Sequence, residues 1–360
     1  MPEYLSLEPS VVSKRAFAPS AMATAPWSPV VAVAGQKQVL LYHTETLRLL
    51  GILPYPEGFI ESLTFSRNGK IVLASGGRGG KSGRVAGWDL KTGKRILTLG
   101  EEYDTILTAD LSADQSLVAI GGPSKVVKVF DLASGEVLYQ IKKHSEWVTQ
   151  VQFSPDGVLL ATGDRNGGLH VWEARTGNAF YTLDGHKKAI TDLSWRADSN
   201  VLLSASEDTS VRIWEMINGK QAKTWNPHGI GTLAAHYDQK GKITTAGRDK
   251  TVKYWDGDGK ALKTLGSFTE IAMETRLSHD GSRIIAGDWS GEISVWQTSN
   301  GKKIGSLGGN PPSLSTRLAQ AKTEKEDRQK ALGSAQSKHA PLAQAESLAQ
   351  KNEDAALTKN

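Results

Sequence analysis

Residues 183–220 decide the fold and read LDGHKKAITDLSWRADSNVLLSASEDTSVRIWEMINGK. The stretch opens with Gly185-His186, continues through two apolar runs separated by a turn, and closes with Asp208 and the segment Val211–Glu215. Short alternating apolar runs bounded by turns predict β-strands. One such unit cannot bury its own apolar faces, so the stretch predicts further copies in the chain.

Seven units repeat along the chain, each closed by an aromatic residue. The intervals between successive aromatics are 46, 42, 42, 42, 41 and 41 residues. Each unit reads as four short strands joined by turns such as Asp156-Gly157 and Asn218-Gly219, which supply the backbone angles of a reversal. Seven four-stranded units of this period predict an all-β, seven-bladed propeller. The closing aromatics are Tyr42, Trp88, Phe130, Trp172, Trp214, Trp255 and Trp296.

The "GH" opening at Gly185-His186, the Trp214-Glu215 close and the period make residues 18–308 resemble WD40-repeat proteins. The resemblance implies a seven-bladed WD40 β-propeller of four-stranded antiparallel blades over residues 18–310. Members of this family usually complete the last blade with strands from both chain ends, whereas here every unit carries its own outer strand. Residues 1–17 are therefore expected to form a strap or a closing strand. The expected blades span 18–53, 57–100, 103–142, 144–184, 186–226, 228–266 and 268–308.

The resemblance also implies a structural hydrogen-bonded chain of His, Ser or Thr, Asp and Trp within a blade. A buried Trp N–H needs an acceptor, and such a network makes a blade rigid. In the fourth blade His144, Thr162 and Trp172 fit, but Asn166 stands at the Asp position, so a weaker network is expected there. A catalytic triad is disfavoured because a triad is defined by geometry and not by composition. The full set is His186, Ser204, Asp208 and Trp214 in the fifth blade, and His228, Thr245, Asp249 and Trp255 in the sixth.

The loops between second and third strands share one face of the disc, which WD40 proteins commonly use to contact partners. Trp and Arg are enriched among the residues that contribute most to binding, and they recur here. The alternative is that the tryptophans lie against neighbouring loops and that the arginines pair with acids such as Glu207. The predicted partner-binding residues are Trp147, Arg165, Glu207, Arg248 and Trp289.

The favoured function is a non-catalytic WD40 scaffold that binds protein or peptide partners on this loop face, and two further functions compete with it. The propeller could be a module of an enzyme or redox protein that binds a small ligand at the channel mouth through Arg165, Arg248 and Asp288. Titratable groups with displaced pKa values at one mouth would support that reading, whereas apolar or hydrogen-bonded channel walls would oppose it. Nucleic-acid binding is disfavoured because the 50 residues from Pro311 carry 8 Lys/Arg against 6 Asp/Glu, which is not a strongly basic tail.

A phosphate-binding loop is considered at residues 75–82, SGGRGGKS. The motif needs a Gly where Ser75 stands and a helix afterwards, but an apolar run typical of a strand follows at 85–89. A flexible, lengthened loop over 76–83 is expected instead, and it accounts for the longer first interval. No cofactor is expected, and the scattered histidines give no metal-ligand spacing.

Composition sets the remaining expectations. There are no cysteines, which excludes disulfides, thiolate chemistry and covalent c-type haem attachment in this chain. No signal peptide or membrane-spanning run is recognised, so the expected location is cytoplasmic, or exported if the N-terminus is truncated. Short motifs such as 163–168 (GDRNGG) resemble a bacterial WD40 subgroup often joined to c-type cytochrome modules, which implies an upstream module if the chain is a fragment.

The last fifty residues differ in composition from the repeats. Residues 311–360 are rich in Ala, Gln, Lys, Glu and Ser and predict a polar, partly helical and partly disordered tail. Ser313 or Ser315 is expected to cap a helix over about 316–332. Gly333 and Pro341 are expected to interrupt it.

Overall fold

The computed structural model describes residues 4–13 and 17–357, and it confirms the predicted seven-bladed propeller. Within those residues there are 28 strands and one helix. Each blade is a sheet of four strands that are consecutive in sequence, and every pairing is antiparallel. Each repeat in the sequence therefore corresponds to one blade. Its alternating apolar residues face the two neighbouring blades.

Each blade runs from its innermost strand, near the central axis, to its outermost strand. Blades 1 to 3 contain β1 (Met22–Thr24), β2 (Val30–Gly35), β3 (Gln38–His43), β4 (Leu49–Pro54); β5 (Phe59–Phe65), β6 (Ile71–Arg78), β7 (Ser82–Asp89), β8 (Arg95–Glu102); β9 (Thr108–Leu111), β10 (Leu117–Gly121), β11 (Val127–Asp131), β12 (Val137–Ile141). Blades 4 and 5 contain β13 (Val148–Phe153), β14 (Leu159–Asp164), β15 (Leu169–Glu173), β16 (Ala179–Thr182); β17 (Ile190–Trp195), β18 (Val201–Ser206), β19 (Val211–Glu215), β20 (Lys220–Trp225). Blades 6 and 7 contain β21 (Thr232–Tyr237), β22 (Ile243–Gly247), β23 (Thr251–Trp255), β24 (Ala261–Ser267); β25 (Ala272–Leu277), β26 (Arg283–Asp288), β27 (Glu292–Gln297), β28 (Lys303–Gly308).

The hydrophobic core is divided among the interfaces between blades. Seven clusters of buried apolar residues occur in the described chain, and each joins two adjacent blades. The cluster between blades 4 and 5, for example, contains Leu169 and Val171 of blade 4 and Leu193 and Trp214 of blade 5. No blade therefore has a core of its own, which is why the fold requires the closed ring.

Polar side chains on the inner strands join neighbouring blades close to the axis. The Asp110 carboxylate accepts a hydrogen bond from the Phe153 amide at 2.8 Å, and Ser194 Oγ accepts one from the Tyr237 amide at 2.9 Å. Each bond spans 43 residues, one repeat. These bonds satisfy buried backbone amides that have no strand partner on the axial side, and they fix the spacing of the inner strands.

The ring closes between blade 1 and blade 7 without a strand shared between them, as the intact outer strand of each unit predicted. A common apolar cluster fills this interface, and the Tyr42 hydroxyl donates to the Gly308 carbonyl at 2.6 Å. Residues 4–13 run along blade 1, where Ser6 forms a single β-bridge with Ile52. Ser13 bonds to Asn310 at the end of blade 7. The remaining residues of the expected strap, 1–3 and 14–16, lie outside the described residues.

The prediction of a lengthened loop over 76–83 is wrong, because most of these residues belong to strands. β6 and β7 stay paired to Arg78 and Ser82, so only residues 79–81 form the turn. No helix follows, which removes the phosphate-loop reading. Gly76 is required by packing, since a Cβ atom there would lie 1.9 Å from the Phe59 carbonyl oxygen.

The chain divides into two compact units between Pro311 and Pro312. The second unit contains α1 (Leu314–Leu357), which begins after Ser313, whose Oγ accepts a bond from the Thr316 amide at 3.3 Å. The expected C-terminal helix is therefore present, but its predicted end near 332 is wrong, because α1 continues through Gly333 and Pro341. The abundant Ala, Gln, Lys and Glu residues are strong helix formers, and they offset the unfavourable helix propensity of these two residues.

Candidate partner-binding face

Two sets of loops meet on one face of the propeller, here called the loop face. One set joins the last strand of a blade to the first strand of the next, and the other joins second to third strands. Backbone hydrogen bonds link the two sets, as between the Arg165 amide and the Trp147 carbonyl at 2.9 Å and between the Trp289 amide and the Ile271 carbonyl at 2.9 Å. Loops tied in this way form a pre-ordered surface, which lowers the entropy lost on binding.

Trp147 and Arg165 form one unit on this face. The Arg165 guanidinium carbon lies 4.9 Å from the centre of the Trp147 ring, a cation–π contact. Trp147 remains 39% exposed. Beside it, Lys125 Nζ lies 3.1 Å from the Glu146 carboxylate. The indole of Trp147 therefore lies partly against a neighbouring loop, as the alternative given above expected. The rest of its surface faces solvent.

Glu207 and Arg248 pair with each other. Arg248 Nη2 lies 2.6 Å from Glu207 Oε1, and both side chains are partly exposed. Exposed ion pairs contribute about 0–1 kcal/mol to stability, so this pair contributes little to folding. It presents a fixed donor and a fixed acceptor to the solvent.

Trp289 differs from these residues because its ring forms no aromatic or cation–π contact with a described residue. It lies at the loop between β26 and β27, is 61% exposed, and its indole nitrogen makes no hydrogen bond to any described residue. Two apolar residues that the sequence reading missed lie in connecting loops of the same face. These are Tyr103, which is 80% exposed, and Ile230, which is 65% exposed. Their signal was available, since each is a large apolar residue in a segment between blades.

The blade networks occupy the interior beneath this face. In blade 5, His186 Nδ1 lies 3.0 Å from the Asp208 carboxylate, and His186 Nε2 lies 2.8 Å from Ser204 Oγ, which accepts the Trp214 indole N–H at 2.9 Å. Blade 6 repeats the arrangement with His228, Asp249, Thr245 and Trp255 at 2.7, 2.9 and 3.0 Å. The Trp–hydroxyl–His–carboxylate order lets every buried donor find an acceptor, which is a structural role.

The prediction of a weaker network in blade 4 is wrong, because Asp164 takes the role in the network that was assigned to the position of Asn166. The Asp164 carboxylate lies 3.0 Å from His144 Nδ1, and Thr162 Oγ1 bonds both His144 Nε2 and Trp172 Nε1 at 2.8 Å. Asp164 stands two residues earlier than Asp208 in the repeat, at the end of β14. The signal was the Gly163-Asp164 pair, which matches Gly287-Asp288 of blade 7.

Burial and hydrogen bonding set the pKa values of these groups. Burial lowers the pKa values of His186 and His228, so both imidazoles are neutral. Burial alone would raise the pKa of Asp208, but hydrogen bonds from His186 and Ser210 outweigh it and hold this pKa below its usual value. A neutral His that donates to an ionised Asp is a fixed structural pair and not a poised acid–base couple.

The three residues expected to hold a small ligand do not act together. Arg165 stacks on Trp147, Arg248 pairs with Glu207, and the Asp288 carboxylate is fully buried. Asp288 accepts bonds from the backbone amides of Ser290 and Glu292 at 2.9 Å. Its oxygens therefore order their own loop.

Displaced pKa values gather instead within the channel. Arg276 of blade 7 reaches Glu274 at 3.1 Å and, across the channel, Asp192 of blade 5 at 3.4 Å. Burial raises the pKa of Asp192 and that of Glu274, the latter to about 8, and burial lowers the pKa of His236 well below its usual value. The cavity beside these groups measures about 140 Å³ and is lined by all seven inner strands. Arg276 thus pairs with both acids, whereas His236 Nδ1 is buried on the cavity wall without a hydrogen-bond partner among the described residues.

Comparison with known proteins identifies the family. The sequence profile described as "Nucleolar protein 10-like, N-terminal domain" matches residues 77–256, which is half of the chain. The chain belongs to this β-propeller family. The matched range runs from β6 to just beyond β23, so it includes the networks of blades 4 to 6 and the Trp147–Arg165 pair, but not Trp289.

A short segment is also similar to autophagy-related protein 16 of Arabidopsis thaliana. The two are 33% identical over 84 residues, which is 23% of this chain and 16% of that protein. The chain thus spans a small part of that relative. The similarity agrees with a repeated propeller unit, and it leaves the activity and partners of the plant protein outside what can be assigned to this chain.

Two further observations bear on the site. No cluster of three or more His, Cys, Asp or Glu side chains suited to a metal ion occurs in the part of the chain that the structure describes. None of the helical segments in that part combines the length and the apolar character needed to cross a membrane.

Proposed function

We propose that this protein is a non-catalytic scaffold that binds a protein or peptide partner on the loop face. The contact surface would include Trp289 of blade 7, the Glu207–Arg248 pair of blades 5 and 6, and the Trp147–Arg165 pair of blade 4, all on the same face. Partner-binding surfaces typically combine exposed aromatic residues with fixed polar groups around them. The loop face of this protein has both.

The exposure of Trp289 is the observation that carries the proposal. A tryptophan that is 61% exposed leaves a large apolar area in water, and burying such area contributes about 25 cal/mol per Å². Trp289 has no ring or hydrogen-bond partner among the described residues that would explain its position, and Tyr103 and Ile230 extend the apolar character of the same face. Tyr103 lies between blades 2 and 3 and Ile230 between blades 5 and 6, so the proposal rests on Trp289 itself, a tryptophan being a residue type enriched at binding surfaces.

The alternative function, a module of an enzyme or redox protein that binds a small ligand at the loop-face channel mouth, has less support. Arg165, Arg248 and Asp288 are committed to other contacts. The titratable groups with displaced pKa values lie within the channel, where Arg276 pairs with Asp192 and Glu274 and where His236 Nδ1 has no hydrogen-bond partner among the described residues. The bacterial subgroup, the cytochrome-type module and the cytoplasmic location remain predictions from the sequence.

The proposal is tested with a Trp147→Ala/Trp289→Ala double variant used as bait beside the wild type in quantitative pull-downs. Partners retained by the wild type should be lost by the double variant. Trp27→Ala is the matched control, because Trp27 is an exposed tryptophan in a loop between first and second strands, on the opposite face. Equal recovery of all partners by the wild type and the double variant would contradict the proposal.

A further inference from the structure

A second apolar surface lies on the face opposite the loop face, at the boundary between blades 4 and 5. It is a groove of about 640 Å³, bordered by the turns that join first to second and third to fourth strands. Three large apolar side chains line it with their surfaces in solvent. Val158 is 59% exposed, Ile217 is 88% exposed, and Phe180 on β16 is also exposed.

The repeat itself shows that two of these residues are unusual. Val158 follows an Asp-Gly turn and donates its amide to Asp156 Oδ1 at 3.0 Å. The residue at the same place in five other blades is polar. In four of them its backbone amide donates to the Asp or Asn side chain two residues earlier, and in blade 6 the amide donates to Asp238, four residues earlier. These residues are Lys70, Ser116, Asn200, Lys242 and Ser282.

Ile217 departs from the repeat in the same way. It lies in the turn between third and fourth strands, two residues before Gly219, whose amide donates to the Glu215 carbonyl at 2.9 Å. The matching turns of blades 2, 3, 4 and 7 repeat this backbone bond and place small or charged residues at that point. Those residues are Lys91, Ala133, Arg175 and Ser299. The two apolar departures from the repeat therefore line the same groove, and neither is needed for packing, because both are exposed.

Carboxylates surround the apolar floor. Asp114 pairs with Arg175 at 2.5 Å, whereas Asp156 and Glu173 form no ion pair with a described Lys or Arg side chain. The groove thus carries three carboxylates against one guanidinium. A hydrogen bond from the Thr176 hydroxyl lowers the pKa of Glu173, so this group is ionised at neutral pH. Negative charge around an apolar floor favours a ligand with basic groups beside apolar ones, and it disfavours an anionic membrane surface.

We propose that this groove binds a peptide segment of a partner protein in which apolar side chains are flanked by Lys or Arg. The apolar side chains would cover Val158, Ile217 and Phe180, and the basic groups would face Asp156 and Glu173. The groove volume lies within the range of typical ligand sites. This second docking site is independent of Trp147 and Trp289, so the propeller would hold two partners on opposite faces at once.

The test begins with a display library of random twelve-residue peptides selected on the full-length protein. A double variant, Val158→Ser/Ile217→Arg, restores the polar residues that Ser116 and Arg175 supply elsewhere in the repeat, and it serves for counter-selection. The peptides retained only by the wild type should combine apolar residues with Lys or Arg. One of them is then synthesised with a fluorescent label, and its affinity is measured by anisotropy.

The double variant should bind this peptide at least about tenfold more weakly, as expected when burial of one apolar side chain is lost. Asp156→Asn/Glu173→Gln should weaken binding and reduce its dependence on salt. Leu138→Ser, which removes an apolar residue that is 50% exposed from the outer strand of blade 3, should bind as the wild type does. Unchanged melting temperatures would show that all variants are folded.

The outcomes separate this groove from the loop face. Trp147→Ala/Trp289→Ala should bind the peptide normally, even if the loop face proves to have no partner. The proposal is overturned if the selection yields no peptide that distinguishes the wild type from Val158→Ser/Ile217→Arg, or if the selected peptides carry no basic residues. Self-association of the wild type that this double variant abolishes would assign the groove to a second copy of the chain, and would also overturn it.

Discussion

Replacing Thr162 with Val tests whether the blade networks contribute to stability. Valine keeps the shape of threonine and removes only the hydroxyl. In the folded protein this hydroxyl accepts the Trp172 indole N–H and bonds to His144 Nε2, both at 2.8 Å. The His144 side chain is completely buried and Trp172 is 6% exposed, so water cannot replace the missing partner.

The expected loss follows from the groups left unpaired. A buried polar group without a partner costs about 1–3 kcal/mol, and two such groups remain after the substitution. Thr162→Val should therefore lower the free energy of unfolding by roughly 2–4 kcal/mol. For a domain of this size, each kcal/mol lowers the melting temperature by about 2–4 °C.

Urea unfolding, followed by circular dichroism and indole fluorescence, measures this loss. Thr44→Val is the matched control, because the Thr44 hydroxyl is equally buried but has no hydrogen-bond partner in the structure. That substitution should be neutral or slightly stabilising. The reasoning is refuted if Thr162→Val costs less than about 0.5 kcal/mol, or no more than Thr44→Val, while the fold is retained.

Three further predictions concern positions where the structure departs from the simple repeat or displaces a pKa. Asp164→Ala should destabilise the protein by about 2–3 kcal/mol, because it leaves the Nδ1 atom of a buried imidazole unpaired. Asn166→Ala, at an exposed side chain, should cost under about 0.5 kcal/mol in the same urea assay. A larger loss for Asn166→Ala than for Asp164→Ala would show that Asn166 belongs to the network. Burial lowers the pKa of His170 to about 4, so its imidazole resonance should not titrate between pH 8 and about 5 by NMR. Because the unfolded chain binds this proton first, the contribution of His170 to stability should decrease as the pH falls below about 6.5; a midpoint near 6.5 in the folded state would contradict this. Gly76→Ala should lower the melting temperature markedly, since its Cβ atom meets a carbonyl oxygen at 1.9 Å, while Gly80→Ala, whose Cβ meets nothing within 4 Å, should have the smaller effect; equal effects would argue against the close packing at Gly76.

The blade count was predictable because the repeat is a physical requirement of the fold. Each interface needs apolar residues from two neighbouring units, so the closing aromatics from Tyr42 to Trp296 recur at nearly constant intervals. The role of Asp164 as the acceptor for His144 was missed because a carboxylate can reach the same histidine from two backbone positions. Sequence spacing fixes only one of these positions.

The contacts of the candidate site depend on side-chain geometry that the repeat does not encode. The sequence placed Arg165 and Arg248 on the loop face and offered Glu207 as an acidic partner, which is correct for Arg248, but it did not predict that Arg165 stacks on Trp147. Arg276 and Asp192 pair across the channel although they are 84 positions apart in the sequence. No local sequence pattern predicts this pair. The length of α1 was underestimated because Gly333 and Pro341 were given more weight than the helix formers around them.

A photo-crosslinking measurement tests the central claim most directly. A photoreactive amino acid placed at position 289 lies on the loop face, and the same residue placed at position 27 lies on the opposite face as a control. If the loop face binds the partner, irradiation in a native extract should give a discrete crosslinked product at position 289 and none of that product at position 27. A product formed equally at both positions, or only at position 27, would contradict the assignment of the loop face as the partner-binding surface.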